Sequence, residues 1–207
     1  MRFVIMADGQ GTRWNNYMGV PKHLALVDGE PVLGRTVRLL REVAAEAAAA
    51  SGAASGGNDP EIIITSHDER YEFEGATRHE PENNIYEIDR FTTELVCDEM
   101  CFLYGDTVYD KEVLADIVAS DAEDILFYGN RKSVVAVRIG DAELFRKHFN
   151  RVRNLFVDGK IEKCKGWQIY QSVTGQDLRE KPVIGEKFVL VDEHTTDINT
   201  PEEYRNI

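Results

Sequence analysis

Gly9-Gln10-Gly11-Thr12-Arg13 follows directly on the apolar run Arg2 to Ala7, and Pro21-Lys22 comes soon after it. An apolar run that feeds a glycine loop reads as a buried strand turning sharply at its carboxyl end. Glycines let backbone N–H groups close on phosphate oxygens. Two fixed cations beside such a cradle, Arg13 and Lys22, suit a polyphosphate, because they neutralise the charge that builds on a leaving pyrophosphate. Two familiar phosphate loops are excluded. A dinucleotide fingerprint needs a third glycine where Trp14 stands, and a P-loop needs Gly-Lys-Ser/Thr. Taken alone, the segment is equally well a turn carrying two surface cations.

A second apolar run, Met100 to Tyr104, ends in Gly105-Asp106-Thr107, so an acidic side chain emerges at the rim of a sheet. Near the C-terminus, Thr196-Asp197-Ile198-Asn199 precedes Thr200-Pro201-Glu202-Glu203, a helix start in which Thr caps, Pro takes the first turn and two acids face the dipole. Taken alone, a strand-end aspartate such as Asp106 reads as a turn or cap residue.

Strands alternate with amphipathic helices along the chain. After the first strand, Val32, Leu33, Thr36, Val37, Leu40 and Val43 recur at helical steps behind Pro31. Residues 51–60 read as a flexible surface connection, because the strand Glu61 to Ser66 follows at once. Further helices are expected over Ile88 to Cys97, Asp110 to Ser120 with Asp110 as cap, Asp141 to about Val152, and Trp167 to Val173. Strands are expected over Asp124 to Tyr128, Ser133 to Ile139 and Phe188 to Asp192. This alternation predicts an α/β fold, a three-layer sandwich on a mainly parallel, Rossmann-like mixed sheet, formed by one domain over residues 1–207. Ligands of such sheets bind outside the carboxyl ends of the strands, which brings Asp8-Gly9 and Gly105-Asp106 to one site.

The formal charge of −13 argues against nucleic acid as a partner but not against a nucleotide held by a metal, local cations and backbone N–H groups. No apolar stretch approaches the roughly 20 residues of a membrane helix, and the short N-terminal run lacks the pattern of a signal peptide. A cytoplasmic protein is expected, without membrane insertion, and a homo-oligomer is left open. The odd set Cys97, Cys101 and Cys164 makes a poor disulfide framework. Cys97 and Cys101, spaced by four as on one face of a helix, read as small packed side chains rather than zinc ligands.

The segments Ala7-Asp8-Gly9-Gln10-Gly11-Thr12-Arg13, Pro21-Lys22-His23-Leu24 and Gly29-Glu30-Pro31-Val32-Leu33 together resemble the signature of the small nucleotidyltransferases. That family includes sugar-1-phosphate nucleotidyltransferases, choline-phosphate cytidylyltransferases and molybdenum-cofactor guanylyltransferase-like enzymes. The resemblance implies a GT-A-like fold and an NTP substrate, its nucleotide held by Ala7, Asp8, Gly9, Gly11 and Thr12. It implies that Arg13 and Lys22 stabilise the triphosphate and the pyrophosphate. Gly105-Asp106 and the Asp197-to-Tyr204 ending are similar to the family's metal elements, which implies Mg2+ on Asp106 and Asp197, with Asn199 a weaker alternative. Asn83-Asn84 is similar to a segment before the metal strand in choline-phosphate members and adds Asn84 to the nucleotide contacts. Asp8 departs from the usual Ala or Gly of its motif position.

The expected activity is transfer of an NMP from an NTP to a small phosphorylated acceptor, a sugar 1-phosphate or a phosphocholine-like molecule. Lys132, Arg138, Lys163 and Lys165 are candidates for the acceptor phosphate, and Trp167 and Tyr170 for an aromatic wall. Two other readings stand beside this one. A nucleotide-sugar glycosyltransferase of the same fold usually carries Asp-x-Asp, where this chain has Val108. A non-catalytic nucleotide-binding regulator is favoured by Asp8 alone.

Overall fold

The computed structural model describes residues 1–50, 59–192 and 194–207. The connection expected over 51–60 therefore lies outside the described residues except for Asp59 and Pro60.

The first strand, β1 (Arg2–Met6), is buried along almost its whole length, and its side chains alternate between two cores. Phe3 and Ile5 join one apolar cluster, and Val4 and Met6 join the other. A strand buried on both faces reads as an unbroken apolar run, which is why Arg2 to Ala7 shows no polar alternation. After the short hairpin β2 (Leu26–Val27) and β3 (Glu30–Pro31), helix α1 (Val32–Ala50) lays Leu33, Val37 and Leu40 onto the Phe3 and Ile5 face. Each such side chain contributes roughly 1.5–3 kcal/mol on burial.

The chain continues through β4 (Glu61–Thr65), β5 (Thr77–His79), β6 (Met100–Tyr104) and the two-residue β7 (Thr107–Val108) into α2 (Lys111–Ala119). β8 (Ile125–Gly129) and β9 (Val134–Ile139) form a hairpin, followed by α3 (Ala142–Val157), α4 (Gly166–Val173), β10 (Phe188–Leu190), β11 (Thr196–Asp197) and α5 (Pro201–Arg205). Helices α2, α3 and α5 start on the side-chain caps Asp110, Asp141 and Thr200.

The main sheet has seven strands in the order β10-β8-β9-β6-β1-β4-β5. β9 runs antiparallel to β6 and β8, and the other pairings are parallel. α1 and α2 cover one face, while α3 and α4 cover the other through Phe145, Phe149, Ile169 and Tyr170. The result is the expected three-layer α/β sandwich on a mixed, mainly parallel sheet. Because β9 is reversed, the β8–β9 turn falls at the same sheet end as the loops after β1 and β6.

Three expectations are corrected. Ile88 to Cys97 is not a helix but two single 3₁₀ turns, Glu87–Arg90 and Thr93–Leu95. Asp89 is buried there, accepts from the Ile85 and Tyr86 amides and pairs with Arg153 at 2.7 Å, so a buried acid fixes the tight turn. Cys97 and Cys101 share no helix face, since Cys101 points into the core from β6. All three cysteines are free, Cys101 and Cys164 buried and Cys97 half-buried. Arg138, a candidate for the acceptor phosphate, is buried in β9, where it pairs with Glu99 at 2.6 Å and donates to the Met100 carbonyl.

Candidate active site

The glycine loop leaves β1 with Ala7 buried beneath it, its amide bonded to the Thr65 carbonyl at 3.1 Å. Gly11 has φ +60°, a backbone conformation that a side chain would strain. The Gly11 carbonyl accepts from the amides of Trp14 and Asn15, closing the turn. Trp14, at the position where a dinucleotide loop would have glycine, is instead an anchor. Its indole N–H donates to the Val20 carbonyl at 2.7 Å, and its ring packs edge-on against Tyr17 and Tyr204. Val32, Val108 and Ile198 complete this small cluster, which fastens the loop to the C-terminal segment.

Asp106 reaches the same place from β6. Gly105 lies so close to β1 that a Cβ would stand 2.8 Å from the Met6 carbonyl oxygen, so only glycine lets the two strand ends converge. β7 pairs with β11 in a register that sets Thr107 opposite Asp197, and the Ile198 amide donates to the Asp106 carbonyl at 2.7 Å. Two acids 91 positions apart in the sequence are thus neighbours by main-chain pairing.

Asn199 joins the parts. Its side-chain oxygen accepts from Arg13 at 2.7 Å and from Lys22 at 3.3 Å, while its amide nitrogen donates to Asp197. Ser133, in the β8–β9 turn, donates to the other Asp197 oxygen at 3.1 Å. Lys22 donates to and pairs with Asp106, both side chains being largely withdrawn from solvent. Burial pushes the Asp106 carboxyl up, but Lys22 and His23 act against it and the net position is below the ordinary carboxylate range. Asp106 is therefore ionised at neutral pH. The Glu203 carboxylate holds the Asn199 and Thr200 amides at 2.7 and 2.9 Å, so the cap of α5 also fixes the hub.

Gly9, Gly11, Thr12, Arg13, Lys22, Asp106 and Asp197 line one cavity of about 270 Å³. Ala7, Asp8 and Asn84 do not line it. The Asp8 carboxylate is taken up by three donors at its side, the His67 amide and ring and the Asn84 amide nitrogen, at 2.6–3.1 Å. Asn84 also donates to the Asp8 carbonyl. The departure at position 8 is thereby directed away from the cavity.

Sequence reasoning missed Arg90. Its guanidinium lines the cavity beneath Gly9, its Nε is buried without a hydrogen-bond partner, and it forms no ion pair among the described residues. No local signal marks it, because its approach to Gly9 depends on the 3₁₀ turn that replaces the expected helix. Of the acceptor candidates, Lys132, Lys165 and Trp167 line the cavity. Lys163 lies beyond it, and Tyr170 is core.

Two carboxylates with an amide oxygen nearby make a hard, all-oxygen donor set. Among the described residues no group of three or more His, Cys, Asp or Glu is assembled to hold a metal. That set fits magnesium, which keeps waters and phosphate oxygens as its other ligands, and does not fit zinc.

Next to Lys22, His23 is buried with its ring Nδ1 2.9 Å from the Tyr71 hydroxyl. Burial pushes its imidazole from 6.5 down to about 4. Within that window the unfolded chain binds the proton more readily than the folded one. Stability is therefore expected to fall as pH drops from 6.5 towards about 4, by about 3 kcal/mol in total from this group. The check is the His23 ring resonance in an NMR titration, and a midpoint at the free-imidazole value would contradict it.

No protein-family model matches the chain, and no curated protein matches it. Among solved structures, it is similar to the CTP:phosphocholine cytidylyltransferase of Streptococcus pneumoniae, with 14% identity, a TM-score of 0.51, and coverage of 99% of this chain and 96% of that one. The inositol-1-phosphate CTP transferase of T. maritima is similar at 11% identity and TM-score 0.53, covering 98% and 90%. A Bacillus anthracis protein assigned as a glucose-1-phosphate thymidylyltransferase, in complex with a sucrose, is similar at 14% identity and TM-score 0.57, covering 99% and 92%. Among the described residues no helix is long and apolar enough to cross a membrane. Each similarity spans almost the whole of this chain and at least 90% of the neighbour: the chain has the sugar-phosphate nucleotidyltransferase fold.

Proposed function

We propose that this chain, acting as one domain, is a nucleotidyltransferase that moves an NMP from an NTP to a small phosphorylated acceptor and releases pyrophosphate. The observation that carries the reading is the convergence of Arg13, Lys22, Asp106 and Asp197 on one cavity through Asn199. The acceptor is a sugar 1-phosphate or a phosphocholine-like molecule, and its phosphate oxygen attacks the α-phosphorus in line while pyrophosphate departs. That oxygen is anionic at neutral pH, so no general base is needed, and catalysis rests on positioning and charge neutralisation.

The backbones of Ala7, Gly9, Gly11 and Thr12 hold the nucleotide, and Asp8 with Asn84 braces the base of the loop. Arg13, Lys22 and the unpartnered Arg90 receive the negative charge of the triphosphate and of the departing pyrophosphate. Asp106 and Asp197 are the residues that would hold Mg2+, which polarises the α-phosphate when bound. Lys132 and Lys165 face the acceptor phosphate from the other wall.

Pyrophosphate release tests the reading, with each of the four NTPs, magnesium and a panel of phosphorylated acceptors. Release that requires one NTP and one acceptor is expected. In the same assay Arg90→Ala should lower kcat/KM by roughly 30-fold, the loss of a charge contact worth about 2 kcal/mol. An unchanged kcat/KM would remove Arg90 from the triphosphate site. Tight magnesium-dependent NTP binding without release on any acceptor would favour the regulator, and absence of NTP binding would overturn the proposal.

A further inference from the structure

Past Trp167 the cavity meets a second one, of about 590 Å³, which shares Lys132, Lys165 and Trp167 with it. The second cavity is bounded by the β8–β9 turn, the 159–165 segment before α4 and the 178–182 segment after it. Seven of its 15 lining residues are Lys or Arg and two are Glu, in a chain whose formal charge is −13. Lys160 and Arg179 turn to Asp158 and Asp177 at 2.9 and 2.7 Å. Arg131, Lys132, Lys163, Lys165 and Lys181 form no ion pair among the described residues. By contrast, on the α1 side Arg38 and Lys111 each meet two glutamates. Like charges gathered around a concavity repel one another and raise the local concentration of anions. The floor is apolar, with Ile161 and Leu178 buried and Trp167 stacked on Phe188 at 5.1 Å.

We propose that the acceptor is a small molecule with two separate anionic groups: one phosphate accepts the nucleotidyl group, and a second phosphate or carboxylate at its far end is bound by Arg131, Lys163 and Lys181. The inference rests on the transferase reading and narrows it. A phosphocholine-like acceptor would set its quaternary ammonium among five unpaired cations, and Trp167 is the one aromatic side chain lining this cavity, too few for a cation cage. The cations line a concavity that shares a wall with the reaction site, which suits a small ligand rather than a membrane or a polymer.

Calorimetric binding of glucose 1-phosphate, glucose 1,6-bisphosphate, glucuronic acid 1-phosphate and phosphocholine tests this without NTP, on the full chain and on Lys163→Glu/Lys181→Glu. Both side chains are exposed, so the variant is expected to fold. The bisphosphate or the uronic acid phosphate should bind at least about tenfold more tightly than glucose 1-phosphate. That ratio should shrink to about twofold in the variant and at high salt. The compound with the larger ratio distinguishes a phosphate from a carboxylate. Equal binding of the sugars with one and with two acidic groups, a ratio that survives charge reversal, or tighter binding of phosphocholine would overturn the proposal. Since the binding ratio needs no turnover, its failure is distinct from a failure of the transferase reading, which appears as absent NTP binding.

Discussion

Asp106→Asn is expected to lower pyrophosphate release by on the order of 10³-fold, about 4 kcal/mol in the barrier. The substitution keeps the shape of the side chain at the end of β6 and removes only its charge. Two consequences then separate. Without the carboxylate, the proposed magnesium site loses one of its two acids, and turnover falls on properly folded protein. Lys22 also loses its counter-charge while remaining largely buried, with the Asn199 oxygen at 3.3 Å still accepting from it. Leaving one member of a buried pair alone costs roughly 3–5 kcal/mol of stability, and the Asn199 contact keeps this variant at the low end. The measurement is turnover at saturating magnesium, corrected for folded fraction by urea titration. Residual activity within tenfold of the parent would show that Asp106 is structural.

The second large effect is expected at Lys22. Lys22→Met should reduce turnover about a hundredfold by removing a cation from the departing pyrophosphate. It should also destabilise the chain, because the burial of the Asp106 carboxylate then loses its main offsetting charge. The informative experiment is the pair of substitutions together. If Lys22 and Asp106 are one buried ion pair, the double variant loses less stability than the two single losses added, by roughly 2–3 kcal/mol. Its activity, in contrast, should be no better than that of the poorer single variant. Additive stability losses would mean that the pair is solvated in solution.

The strands and caps were legible because each has a local cause. Phe3, Val4, Ile5 and Met6 form an unbroken apolar run since helices cover both faces of β1, and Asp110, Asp141 and Thr200 stand where a helix start needs an acceptor. The three-layer fold follows from that order of elements. The segment around Ile88 was misread because Ile88, Phe91 and Leu95 recur at helical spacing, yet two separate turns bury them equally well once Asp89 takes the local amides. Asn199 looked secondary in sequence because nothing local reveals that Arg13, Lys22 and Asp197 all reach it. Arg138 looked like a free cation, and only the β6–β9 pairing shows that it is spent on Glu99.

The two walls of the site are built from different lengths of chain. The proposed nucleotide wall draws on residues from positions 9 to 199 and closes only when the first and last segments are both in place. One part of the proposed acceptor wall is a four-residue reverse turn, in which the Asn130 side chain accepts from the Lys132 and Ser133 amides and holds the loop to itself. A loop that carries its own brace is exchangeable as a cassette. Ser133 at its end also donates to Asp197, so on the proposed reading residues 130–132 are free to diverge with the acceptor while Ser133 is tied to the triphosphate chemistry.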